Sequence, residues 1–142
     1  MSGILCLFTE AHTAGTCDSE KFVNPNISFI NVDVDGDPIR LYSKGMPPSD
    51  AWVNIKKRMG VSGSLTEKEF YTANKYALWI DLRTHPDNNI HGDGFTLKNT
   101  RNGIRLEINR KVGGSGNRTC HLFIMADALM EVMNSNLKSI LH

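Results

Sequence analysis

From Tyr76 to His142 the chain is a succession of short runs that alternate apolar and polar residues, separated by turn-forming clusters. Tyr76-Ala77-Leu78-Trp79-Ile80-Asp81-Leu82 is one run, Gly103-Ile104-Arg105-Leu106-Glu107-Ile108-Asn109 a second, and Cys120-His121-Leu122-Phe123-Ile124-Met125-Ala126 a third. Successive strand side chains point to opposite faces. Ile104, Leu106 and Ile108 therefore share one face and Arg105 and Glu107 the other, and Leu78, Ile80 and Leu82 repeat the pattern. Between the runs stand His85-Pro86-Asp87-Asn88-Asn89, His91-Gly92-Asp93-Gly94, Asn99-Thr100-Arg101-Asn102-Gly103, Gly113-Gly114-Ser115-Gly116-Asn117 and Asn134-Ser135-Asn136. Short strands at turn-punctuated spacing favour an antiparallel β-sandwich or barrel over alternating α/β layers. Close to half the chain is thus sheet scaffold.

The first half is less regular. Ile4 to Thr9 reads as a strand, and Ala11 to Asn26, polar and interrupted by Pro25, reads as loop. Ile27 to Val34 alternates, with Ile27, Phe29, Val32 and Val34 as candidates for shared faces and a slip of phase near Ile30-Asn31. Asp35-Gly36 then precedes Pro38-Ile39-Arg40-Leu41-Tyr42. Asp-Gly between β-rich runs is a strong hairpin signal, because a type I′ turn needs positive φ at both central residues. Asp37 and Pro38 weaken the two-residue version and favour a slightly longer loop. After Gly45-Met46-Pro47-Pro48, either Ser49 or Asp50 can cap a helix over 49–59. Trp52, Ile55 and Met59 form its apolar stripe, Lys56, Lys57 and Arg58 complement the dipole at its carboxyl end, and Gly60 ends it. Residues 67–74 fit either a helical turn or a strand.

The whole chain, 142 residues, is one domain's worth, expected to bury roughly 70% of its unfolded surface. The fold class expected is all-β with one short helix, an antiparallel sandwich over 1–142. A net charge of +1 with scattered basic residues gives no field for nucleic acid or an anionic membrane. Lys56-Lys57-Arg58, the densest run, reads as the solvent face of the helix. Three cysteines, Cys6, Cys17 and Cys120, do not make a disulfide framework, and without a CxxC pair zinc has no anchor. Met1 to Phe8 lacks a basic leader and no apolar run is long enough to span a membrane. A reducing compartment, not secretion, is the expectation, and Asn26-Ile27-Ser28 and Asn117-Arg118-Thr119 are then chance sequons.

Each cluster that could carry chemistry reads better as turn or core. His85, Asp87 and His91 have the residue types of a facial metal triad, but they fall within one turn-rich segment. Asp33, Asp35 and Asp37 evoke a calcium loop, yet glycine falls at the fourth position and Lys44 at the twelfth, where such a loop needs Gly at six and Glu at twelve. The glycine-rich clusters match neither phosphate-binding pattern. Cys120 and His121 are strand neighbours on opposite faces, so they cannot act as nucleophile and base, and Cys120 reads as a small core residue. Trp52 and Trp79 read as packing anchors, and Met125, Met130 and Met133 as core or interface filler. No catalytic, cofactor-binding or metal residue is assigned, and no cofactor.

The segment Cys120-His121-Leu122-Phe123-Ile124-Met125-Ala126-Asp127-Ala128-Leu129-Met130-Glu131-Val132-Met133-Asn134-Ser135-Asn136-Leu137-Lys138-Ser139-Ile140-Leu141 resembles the closing strands of double jelly-roll major capsid proteins. Those proteins belong to large eukaryotic DNA viruses and to Polinton- or adintovirus-like elements. Trp79-Ile80-Asp81-Leu82 and the stretch from His91-Gly92-Asp93-Gly94 to Gly103-Ile104 are similar to the strands before that ending. The resemblance covers Tyr76 to His142 and implies a jelly-roll sandwich without catalysis, assembling with itself or related capsid subunits into trimers or pentamers, located in a virion or in the host nucleus or cytoplasm. A double jelly roll needs several hundred residues, so this length fits one jelly-roll half, a penton-like single jelly roll or a captured fragment. The alternatives are a β-sandwich module binding carbohydrate or protein through the His85–Gly94 and Asn99–Gly103 loops, and a small metal-dependent oxygenase using His85, Asp87 and His91.

Overall fold

A computed structural model describes residues 2–11, 21–39, 44–60, 64–83, 101, 103–113, 116–126, 129–133 and 136–141, the last two segments as main chain. In chain order the elements are β1 (Gly3–Glu10), β2 (Ile27–Val34), β3 (Asp37–Pro38), α1 (Ser49–Met59), α2 (Glu67–Thr72), β4 (Ala77–Asp81), β5 (Ile104–Arg110), β6 (Arg118–Met125), β7 (Leu129–Met133) and β8 (Asn136–Leu141). They form two antiparallel three-stranded sheets, ordered β4-β1-β6 and β3-β2-β5, and a separate β7-β8 hairpin. The all-β expectation holds at this level.

One apolar core joins the two sheets. Ile4, Cys6 and Phe8 of β1 and Leu78 and Ile80 of β4 meet Ile27, Ile30, Val32 and Val34 of β2 there, and Ile104, Leu106 and Ile108 of β5 pack against it. The period-2 pattern therefore located the inward faces of β4 and β5. In β2 it was misread: Phe29 is exposed and Ile30 is buried. A shift of register lies between Ile27 and Phe29, not at Ile30-Asn31. One extra residue turns every later side chain to the other face.

The β2-β3 turn is the tight two-residue hairpin after all. Val34 pairs with Asp37, and Asp35 and Gly36 both have positive φ, 58° and 96°. Asp37 and Pro38 are accommodated as the returning strand, because Pro38 needs no amide donor at this edge. Two bonds tie the turn down: Asp35 N–H donates to Gly103 O at 2.9 Å, and Arg101 N–H donates to Asp35 Oδ1 at 3.1 Å.

Helix α1 has the expected range and ends at Gly60 in the left-handed conformation, φ 56°. Its N-cap, however, is Pro48 with no side-chain capping bond. The ambiguous segment forms a second helix, α2, so the sheets carry two helical inserts. A capping box explains it: Glu69 N–H donates to Thr66 Oγ1, and Thr66 N–H donates to Glu69 Oε2 at 2.9 Å. Aromatic rings stitch the helices to the core. Phe70 lies 5.2 Å from Trp52, 5.0 Å from Tyr71 and 5.2 Å from Tyr76, centroid to centroid. Tyr76 in turn approaches Phe8 of β1. Trp79, 2% exposed, and the half-buried Trp52 are packing anchors as expected, with Arg58 over the first ring and Lys56 over the second.

Candidate functional site at the open edge of strand β6

Strand β6 pairs with β1 through eight residue pairs, from Gly3–Met125 to Glu10–Arg118. Directly opposed residues of an antiparallel pair share a face. Ile124 is opposed to Ile4, Leu122 to Cys6 and Cys120 to Phe8, so all three β6 residues belong to the core side of the sheet. Their β1 partners are buried, yet Leu122 is 55% exposed and Ile124 62%. On the opposite face Phe123 and Met125 are exposed as well. The core thus stops at β1, and β6 presents apolar side chains on both faces.

Two structural facts produce this. Among the described residues β6 has a strand neighbour only on its β1 side. Strand β5, joined to β6 by the connection 111–117, likewise has a neighbour only on its β2 side, and its inward residues are only partly buried. An apolar strand with an unpaired ladder is a template for another strand. An exposed contiguous apolar patch marks an interaction surface more often than it decorates a monomer.

Polar contacts pin β6 to β1 on the paired side. Arg118 Nη1 lies 3.4 Å from Glu10 Oε1. The His121 ring nitrogen Nε2 lies 3.1 Å from Thr9 Oγ1 on the outer face, so His121 and Cys120 do point apart as the strand geometry requires. The expectation that Cys120 is a core residue is corrected: it faces the core but is exposed, whereas Cys6 is buried. Among the described residues no strand lies beyond β6 to carry the core over it. Cys6 and Cys120 are diagonal neighbours on the core face of the β1-β6 pair. The neighbouring Cys120 thiol, then burial and the charge of Cys120, push the Cys6 thiol above the usual range. The neighbouring Cys6 thiol holds Cys120 below its ordinary value, against its partial burial. No local motif signals this pair, since it arises from a strand pairing across most of the chain.

The remaining sequence candidates separate cleanly. His85, Asp87, His91, Cys17 and the His85–Gly94 loop lie outside the described residues, as do all but Arg101 and Gly103 of the Asn99–Gly103 loop. The Asp33–Asp37 run is a hairpin, with a carboxylate oxygen of Asp35 already engaged by the Arg101 amide. Lys56, Lys57 and Arg58 are exposed on α1. Among the described residues no three His, Cys, Asp or Glu side chains converge as metal ligands, and no helix is long and apolar enough to cross a membrane.

No protein-family model, curated protein or solved structure matches the chain.

Proposed function

We propose that this is a structural capsid-type jelly-roll protein, viral or virus-derived, that works by self-assembly into trimers or pentamers. The observation that carries the reading is the strand order. A jelly roll winds eight strands as two Greek keys, and its sheets run first-eighth-third-sixth and second-seventh-fourth-fifth. Taking β1 to β6 as the third to eighth strands reproduces both orders here, β6-β1-β4 and β5-β2-β3. The two long inserts, α1 and α2, then fall in one connection between the sheets, from β3 to β4.

The same mapping accounts for the exposed edge. The first and second strands of a jelly roll lie beside the eighth and seventh, which correspond to β6 and β5. Those are the strands whose inward residues are incompletely covered. Apolar surface on both faces of β6 and a near-neutral chain suit packing against copies of itself or related subunits.

Light scattering coupled to size-exclusion chromatography, followed by negative-stain microscopy, tests the proposal. Discrete trimers or pentamers are expected, and Leu122→Lys with Phe123→Lys should dissolve them. A strictly monomeric protein at high concentration overturns the assembly reading.

A further inference from the structure

We infer that the β7-β8 hairpin of one copy adds to the open edge of β6 in the next copy, so that copies join head to tail through shared sheets. The inference rests on the self-assembly reading and names the segment that makes the contact.

The acceptor is specified by what β6 lacks. Sheets keep their edges from pairing with charges, proline, bulges or very short strands. β6 is eight residues long and follows β1 without a shift of register. From Thr119 to Met125 it has no proline and no Lys, Arg, Asp or Glu, and its one charged residue, Arg118, sits at the strand end beside Glu10. Leu122, Phe123, Ile124 and Met125 are exposed. The other sheet ends differ. β3 has two residues, β4 has five with α1 packed against it, and β5 carries Arg105, Glu107 and Arg110 along its length.

The donor is the one strand pair that belongs to neither sheet. Among the described residues β7 pairs with β8 and with no other strand. A two-stranded hairpin is marginally stable alone and needs a further strand or layer. Its strands are poor in charge, with Glu131 in one and Lys138 in the other. β7 begins four positions after the end of β6, close enough for an ordinary hairpin between them, yet its ladder is with β8. Each copy therefore offers one open edge and one unpaired hairpin. Joining the hairpin of one copy to the edge of the next is a heterologous contact, which closes into rings, the symmetry of a trimer or pentamer. Pairing β6 with β6 of a second copy would stop at dimers. The added strand also takes the place beside β6 that the jelly-roll order leaves open.

The test uses full chains, read by size-exclusion chromatography with light scattering, and two variants checked for folding by circular dichroism. The acceptor variant is Leu122→Lys with Phe123→Lys. The donor variant is Met130→Pro with Ile140→Pro, an opposed pair of the hairpin where proline removes amide donors from its ladder or its free edges. Each variant alone is expected to be monomeric. Mixed in equal amounts they should form a species of twice the chain mass and nothing larger, because one intact hairpin meets one intact edge and growth stops. In the parent, the β6 amides that face away from β1 should gain about tenfold hydrogen-exchange protection on assembly. A donor variant that assembles like the parent overturns the inference and leaves the self-assembly reading standing. So does a mixture that stays monomeric, or a parent assembly whose β6 amides exchange as in the monomer. A parent that is itself monomeric removes the self-assembly reading and this inference with it.

Discussion

The indole of Trp79 lies against the Cα of Gly3. A Cβ at Gly3 would stand 2.8 Å from the Ile80 carbonyl oxygen and closer still to Trp79 Cζ2 and Cη2. Gly3 is paired with Asp81 and Trp79 with Leu5, so both lie on one face of the β1-β4 ladder. A side chain on β1 at this point would occupy the volume of the ring. Gly3→Ala is expected to destabilise the protein by about 2 kcal/mol, read as a lower urea midpoint at unchanged slope.

Asp81 and Arg83 form the best-buried ion pair among the described residues. Arg83 Nη2 lies 2.6 Å from Asp81 Oδ2 and Nε 2.9 Å from Oδ1, with side chains 7% and 15% exposed. Burial alone would raise the Asp81 carboxyl, but the side-chain and backbone hydrogen bonds from Arg83 and the charges of Arg83 and Arg58 outweigh it, and its pKa is lowered. A depressed folded-state pKa contributes stability that is present above the unfolded value, near 3.9, and lost as pH falls through the folded value. Arg83→Met should cost about 3 kcal/mol at neutral pH and raise the Asp81 pKa in an NMR titration. The loss should shrink on acidification below the ordinary carboxylate range.

Gly36 has φ 96° and nothing within 4 Å of where a Cβ would sit. Gly36→Ala therefore tests the turn backbone without a steric contribution. Denaturant titration should show a loss of about 1 kcal/mol, with the β2-β3 amides losing hydrogen-exchange protection first.

Thr66→Ala removes the side-chain acceptor for the Glu69 amide. Helix α2 is a single capped turn and a half, so this should cost about 1 kcal/mol. The backbone and side-chain hydrogen bonds of Thr66 also hold the Glu69 carboxyl low, so its pKa should rise in the variant, as carboxyl chemical shifts against pH would report.

Ile4 and Ile124 are opposed across β1 and β6, yet one is 5% exposed and the other 62%. Ile4→Ala should cost about 3 kcal/mol and Ile124→Ala no more than about 1 kcal/mol in the monomer. Equal losses in dilute protein would mean that β6 is already covered on its inward face.

Much of the local structure was legible in the residues. The alternation Leu78/Ile80/Leu82 and Ile104/Leu106/Ile108, the Asp35-Gly36 turn, and the stop of α1 at Gly60 each depend on two to seven neighbouring residues. The errors share a cause. The bulge between Ile27 and Phe29 cannot be placed by period alone, since a one-residue slip preserves composition. The capping of α1 depends on where the chain arrives from, and the burial of Cys120 depends on what lies beside its strand.

By itself the sequence determined where β1, β4, β5, β6 and α1 lie and which face of β4 and β5 turns inward, because side-chain alternation is a property of the local chain. Only the tertiary structure decided that β1 threads between β4 and β6, that Cys6 and Cys120 share one face of the sheet, and that β6 carries exposed apolar residues with no described strand beyond them. Those outcomes belong to pairings between residues at least 70 positions apart, and burial is set by which strand occupies the next place in the sheet. An isoleucine at position 4 and one at position 124 have the same affinity for a core; the place of each strand in the sheet decides which of them reaches it.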